Sequence, residues 1–233
     1  MKHDFKYISK RSPQVSAAYE DLMLLLKEVR KELRKDYTFQ HRIVGSYARD
    51  MITYDTKSNV GYDFDVNIYP NDDDDEFTAK QLKLKFKNAL DKCASAHGFA
   101  PAEDSTRVLT IKIKDPKRSR IVFSIDFAFV NDYTDEDGKE HQEYIHNDKK
   151  GRNYSWCEQP QGYYLLPEKI QWIKDNNLWA GIRSLYIEKK NKNNDEHCHS
   201  RTIFAQTVHE VCQKNGFYES DNCGNDDDDD YWD

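Results

Sequence analysis

The chain is poor in the residues that staple or interrupt a fold. Its 233 residues include five Cys, nine Gly and six Pro. The cysteines (Cys93, Cys157, Cys198, Cys212, Cys223) are odd in number and show no CxxC spacing, which excludes a complete disulfide framework and a CxxC zinc ribbon and fits reduced thiols. Long apolar runs are also missing. The longest, Leu22 to Leu26, is five residues, far short of the roughly 18 to 20 that a membrane span requires. The opening Met1-Lys2-His3-Asp4 lacks the apolar stretch of a secretory signal, so the expected location is cytoplasmic, with no membrane partner. An overall basic excess is absent too. The seven aspartates between Asp221 and Asp233 account for the net charge of -7, leaving the body neutral. A protein that grips duplex nucleic acid through its phosphates usually carries a basic surplus. What is present, 37% hydrophobic and 13% aromatic residues, is too apolar for a disordered chain.

The apolar residues show clear periods. Ser12-Pro13 reads as an N-cap with proline at the first helical position, and Val15, Ala18, Tyr19, Leu22, Leu25, Leu26, Val29 and Leu33 then recur at three and four, predicting a helix over 13–35. Residues 37–44 are β-prone and end at Gly45-Ser46; residues 64–69 alternate and stop at Pro70. Asp72 to Glu76 reads as a solvated acidic loop before a helix marked by Leu82, Phe86, Ala89, Leu90 and Cys93 and ended by Gly98. Residues 108–114 and 121–130 alternate as two strands around a basic turn. The polar stretch 132–161 has no clear period and is expected to be a connecting segment or lid. A helical stretch is expected from Leu166-Pro167, and another capped by Ser200.

Within this pattern three carboxylates stand out. Asp63 and Asp65 form an Asp-x-Asp at the start of a strand, where alternate side chains share a face, so both carboxylates project together. Asp126 interrupts the apolar run 121–130. A carboxylate in such a position must be paired, hydrogen-bonded or bound to a metal. Taken singly, each of the three also reads as a turn residue or a satisfied structural acid. Gly45-Ser46 at a strand-to-helix junction offers backbone N–H groups and a hydroxyl to phosphate oxygens. A phosphate cradle, an Asp-x-Asp strand and a third Asp on a later strand make a working set for two-metal phosphoryl transfer. His197-Cys198-His199 lacks the usual zinc spacing. Trp156, Tyr163, Tyr164, Trp172 and Trp179 read as core aromatics, with base stacking as the alternative.

Gly45-Ser46, Asp63-Phe64-Asp65 and Asp126 together resemble the signature of the DNA polymerase β-like nucleotidyltransferase superfamily. Gly45-Ser46-Tyr47-Ala48-Arg49 is similar to the start of the Gly-Ser-x-x-Arg-Gly-Thr motif in the branch holding oligoadenylate synthases, cyclic GMP-AMP synthase and the bacterial cyclic-oligonucleotide synthases (CD-NTases). Asp50 and Met51 stand where that branch has Gly-Thr. Arg183 to Tyr186 and Ser200 to Cys212 are similar to its C-terminal helical region.

The resemblance implies an α+β fold: a mixed sheet with flanking helices plus a C-terminal helical domain. The expected divisions are a catalytic core over 1–131, the connection over 132–161, a helical domain over 162–218 and a disordered acidic tail over 219–233. By the same resemblance Asp63, Asp65 and Asp126 are catalytic and bind Mg²⁺, with Mn²⁺ as a substitute. Gly45, Ser46, Arg49, Arg183, Lys189 and Ser200 contact the nucleotide. The implied reaction moves a nucleoside monophosphate from an NTP to a hydroxyl, with a linear or cyclic oligonucleotide signal in antiviral defence as the expected product. Such a signal implies a downstream effector. The neutral body argues against an obligatory double-stranded nucleic acid activator. Nucleotidylation of a small molecule or of a partner protein, and a non-catalytic nucleotide-binding module, are the alternatives.

Overall fold

The computed structural model describes residues 2–59, 61–72, 76–195 and 198–217. The expected disordered tail and His197 lie outside them. The described residues fall into two compact units, one drawn from 7–54 and 59–159, the other from 2–6, 55–58 and 160–217. Among the described residues no helix is long and apolar enough to cross a membrane.

In the larger unit, a short strand β1 (Phe5–Tyr7), which begins in the other unit, leads into α1 (Pro13–Leu33). Ser12 occupies its N-cap position without a side-chain cap hydrogen bond, and Pro13 opens it. Strand β2 (Thr38–Val44) runs into a single helical turn, α2 (Gly45–Ala48), then β3 (Thr53–Asp55), which pairs with β1, and β4 (Tyr62–Asn71). Helix α3 (Ala79–Ala94) starts at a reciprocal cap: the Thr78 hydroxyl accepts from the Gln81 N–H at 3.3 Å and the Gln81 side chain accepts from the Thr78 N–H at 2.9 Å. Past it, Gly98 adopts a left-handed φ of 78° as the chain turns.

Strands β5 (Glu103–Asp104), β6 (Val108–Asp115) and β7 (Arg120–Thr134) complete the main sheet, in the order β2-β4-β7-β6-β5. β4 and β7 are parallel, whereas β2 on β4 and β6 on β7 are antiparallel. One face of this mixed sheet is dry. Phe64, Val66, Ile68, Leu109, Ile111, Ile125, Phe127 and Phe129 are buried in one cluster with the apolar stripes of α1 and α3. Phe86 of α3 meets Phe39, Phe127 and Phe129 there, with ring centroids 5.2–5.5 Å apart.

Residues 132–161 correct the expectation of an open connection. β7 continues to Thr134, and β8 (Glu140–Asp148) and β9 (Asn153–Glu158) follow as an antiparallel pair beside it. Polar residues occupy buried positions here, which hides the strand signal. Gln142 donates to Asp132 at 2.6 Å and accepts from Gln159 at 3.1 Å.

The other unit contains α4 (Gln161–Asp175), α5 (Trp179–Lys192) and α6 (Ser200–Lys214). α4 starts before Leu166-Pro167 and holds Pro167 inside it; Asn177, at a left-handed φ of 59°, separates α4 from α5. Ser200 is the first residue of α6, and His199 takes the cap position instead. Phe204 of α6 packs edge-on against Trp179 and Tyr186 of α5.

Candidate active site

Strand register aligns the carboxylates. Asp65 of β4 lies opposite Asp126 of β7, and Asp63 lies opposite Ser124. Extending the same row across the sheet gives Val44, Asp65, Asp126, Thr110 and Glu103, contributed by β2, β4, β7, β6 and β5. Residues paired in register share a face, and Asp63 shares it by alternation. Neighbouring strands stand about 4.8 Å apart, so Asp65 and Asp126 are next-door side chains. Their face is opposite the helix-covered one: Asp63 is exposed, and Asp65, Ser124 and Asp126 are only part-buried.

Two glycines permit this approach. Gly45 has φ 65°, and a Cβ there would overlap the Oδ2 of Asp65. The turn that follows β2 therefore lies directly against the middle carboxylate. At the other side, a Cβ on Gly61 would overlap the carbonyl oxygen of Val122, so β4 starts hard against β7. The proximity of Gly45 to Asp65 has a sequence signal in the Gly-Ser pair. Gly61 has only a turn signal.

The turn itself is anchored through Tyr47, whose ring stacks on Tyr19 of α1 at 5.2 Å and meets Phe64 at 5.2 Å. Burial raises the pKa of its hydroxyl. Ser46 accepts the Met51 N–H at its carbonyl at 2.8 Å, and Arg49 caps α2 through the Gly45 carbonyl at 3.3 Å. Asp50 takes φ 55° and Met51 is buried. Thus, at the place where the resembled motif has Gly, the backbone is left-handed and Asp supplies it, a conformation Asp tolerates better than most residues.

Asp126 has its pKa raised, chiefly by burial and further by the charge of Asp63; the Thr110 hydrogen bond and Lys112 oppose the rise. Thr110 Oγ1 donates to Asp126 Oδ1 at 2.5 Å. Lys112 is itself paired with Glu103 at 2.6 Å.

The remaining expected nucleotide contacts, Arg183 and Lys189 on α5 and Ser200 at the start of α6, belong to the helical unit. Lys189 is engaged by Glu210 at 2.6 Å. The five aromatics read as core side chains are all part-buried: Trp156 packs on the main cluster, Trp172 on Phe217 and Trp179 on Phe204.

No protein-family model matches the chain, and no curated protein does. Solved structures do. Vibrio cholerae DncV in a GTP-bound form superposes with a TM-score of 0.56 at 14% identity, over 89% of this chain and 67% of that one. Escherichia coli DncV bound to 3'-deoxy GTP gives 0.58 at 11%, over 88% and 68%. Vibrio cholerae DncV described as a cyclic AMP-GMP synthase and prokaryotic cGAS homolog gives 0.58 at 13%, over 93% and 70%. The chain has the polymerase β-like nucleotidyltransferase fold.

In this nucleotidyltransferase fold the open-face carboxylates meet the chemistry of a hard divalent cation. Their oxygens are the donors that Mg²⁺ prefers. Among the described residues no three His, Cys, Asp or Glu side chains are already drawn into an ion-holding group. The backbone register thus places the three carboxylates on one face, while their side chains are not closed around a common point.

Proposed function

We propose that the protein is a nucleotidyltransferase that transfers a nucleoside monophosphate from an NTP to a hydroxyl and releases pyrophosphate. The observation that carries this reading is that Asp65 stands beside Asp126 on an open sheet face with the Gly45 turn directly against it. Gly45 and Ser46 offer backbone N–H groups and a hydroxyl to the outer phosphates, with Arg49 adding charge next to them. Asp63 and Asp65 would hold two Mg²⁺ ions, the second of them shared with Asp126. The chemistry such ions would supply is neutralisation of phosphate charge and acidification of the acceptor hydroxyl. Asp126 orients the acceptor hydroxyl and takes its proton; the new P–O bond forms as the bond to pyrophosphate breaks.

The acceptor is most simply a second nucleotide. Solved neighbours of the same fold include a cyclic AMP-GMP synthase, also captured with the linear intermediate pppA(3',5')pG. This supports an oligonucleotide product, linear or cyclic. Incubation with all four NTPs and Mg²⁺ or Mn²⁺, read by mass spectrometry, is expected to give pyrophosphate and an oligonucleotide with no other acceptor. Product formed only after a small molecule or a protein is added would overturn the nucleotide acceptor. No nucleotidyl transfer under any of these conditions would overturn the reaction.

A further inference from the structure

The row that aligns Asp65 with Asp126 extends one strand further, to a residue with no family signature. Thr110 stands between Glu103 and Asp126 in register, and its hydroxyl donates to Asp126 Oδ1 at 2.5 Å. It separates two carboxylates that would otherwise be closer neighbours on the same face. Lys112, two residues on and on the same face, holds Glu103 at 2.6 Å and so draws the outer acid aside. A hydroxyl has a single proton to donate. Spent on Oδ1, it fixes the Asp126 carboxylate on the Thr110 side and leaves Oδ2 without that bond. Thr110 is part-buried on the open face, whereas Leu109 and Ile111 beside it carry the core packing. Its hydroxyl therefore has a partner in the site and no part in the apolar cluster.

The geometry points to Thr110 as the positioning residue of the reaction, holding Asp126 by one oxygen so that the other is presented to the metal and acceptor. This rests on the nucleotidyltransferase reading of the same site. Groups that orient a metal-binding side chain typically carry about 10- to 100-fold in affinity or activity. The test compares Thr110→Val, which keeps the β-branched shape and removes the donor, with Thr110→Ser, which keeps the donor. Three measurements are made on the full chain: thermal melting, Mn²⁺ binding by electron paramagnetic resonance with a non-hydrolysable NTP analogue, and turnover.

Thr110→Val is expected to stay folded and melt somewhat below the parent, because Asp126 loses a hydrogen bond, to weaken Mn²⁺ binding and to lower kcat by about 10-fold or more with KM for NTP little changed, and Thr110→Ser to restore binding and turnover. Equal Mn²⁺ binding in Thr110→Val and the parent, or a Thr110→Ser protein as impaired as Thr110→Val, would overturn the assignment. A parent that makes no product yet loses Mn²⁺ affinity on Thr110→Val would sink the reaction and keep Thr110 in its positioning role. A parent that turns over, with Thr110→Val its equal, would do the reverse.

Discussion

The two faces of the main sheet are written in the same strands, one letter apart. On β4 and β7 the buried set is Phe64, Val66, Ile68, Phe123, Ile125, Phe127 and Phe129, and the alternate set is Asp63, Asp65, Asn67, Ser124, Asp126 and Ala128. Because side chains alternate strictly along a strand, packing on the helix-covered face constrains the backbone while leaving the identity of the other face almost free. A stack of large apolar side chains can therefore hold three carboxylates in register. The covered face gives stability and the open face is free to carry chemistry.

The largest effect that would break this division is a pair of substitutions on neighbouring strands. Phe127 has no exposure and meets the Phe86 ring at 5.5 Å, so Phe127→Ala is expected to cost about 3 to 5 kcal/mol by loss of burial and creation of a cavity. Asp65→Asn is isosteric and removes one of several clustered like charges, so it is expected to melt at the parent's temperature or above while abolishing turnover. Thermal unfolding and product analysis on the two proteins read both outcomes. A loss of stability in Asp65→Asn comparable to that of Phe127→Ala would make Asp65 a structural acid and end the contrast.

A smaller effect sharpens the boundary between the faces, at Gly45. Gly45→Ala meets two penalties, a left-handed φ of 65° and overlap with Asp65 Oδ2. Gly138 is the natural control, with φ 76° and nothing within 4 Å of an added Cβ. Both alanine variants are expected to lose about 1 kcal/mol from backbone strain. Only Gly45→Ala should also lose turnover, because its Cβ displaces the middle carboxylate. Equal activity in the two would show that the close approach of Gly45 has no bearing on the reaction.

The same contrast explains how far the sequence could be read. Alternation in 64–69 and 121–130 is a local signal, so the strands and the three aspartates were legible without coordinates. Gly45-Ser46 was legible as a turn, but its overlap with Asp65 depends on β2 pairing with β4, a contact between residues distant in the chain. Thr110 carried no signal for the same reason, since only the register of β6 on β7 brings it to Asp126. Residues 132–161 misled because β8 buries Gln142 and Asn147, whose side chains break an apolar alternation while filling inward positions. Pro167 reads as a helix opener, yet it lies within α4, which begins at Gln161.

The smallest expected effect comes from carboxylates used in the opposite way. On the open face acids crowd one another, whereas near the β7–β8 turn two of them gather about a histidine. His141 on β8 is bonded to Asp135 at 2.8 Å and Glu158 at 2.5 Å, and its ring stacks on Tyr133 at 5.1 Å. Glu158 first and then Asp135 raise its pKa above the ordinary 6.5. A histidine whose folded pKa is raised binds its proton more tightly when folded, so its contribution is complete below the unfolded value and fades as pH rises through the folded one. His141 is part-buried but its carboxylate partners reach solvent, and the contribution is correspondingly small. Amide exchange in the β7–β8 turn, corrected for intrinsic rates, is expected to be slower at about pH 6 than at about pH 9, and His141→Gln should flatten that difference. An unchanged pH dependence in His141→Gln would mean that the acids near this turn, like those on the open face, do not stabilise the strands that carry them.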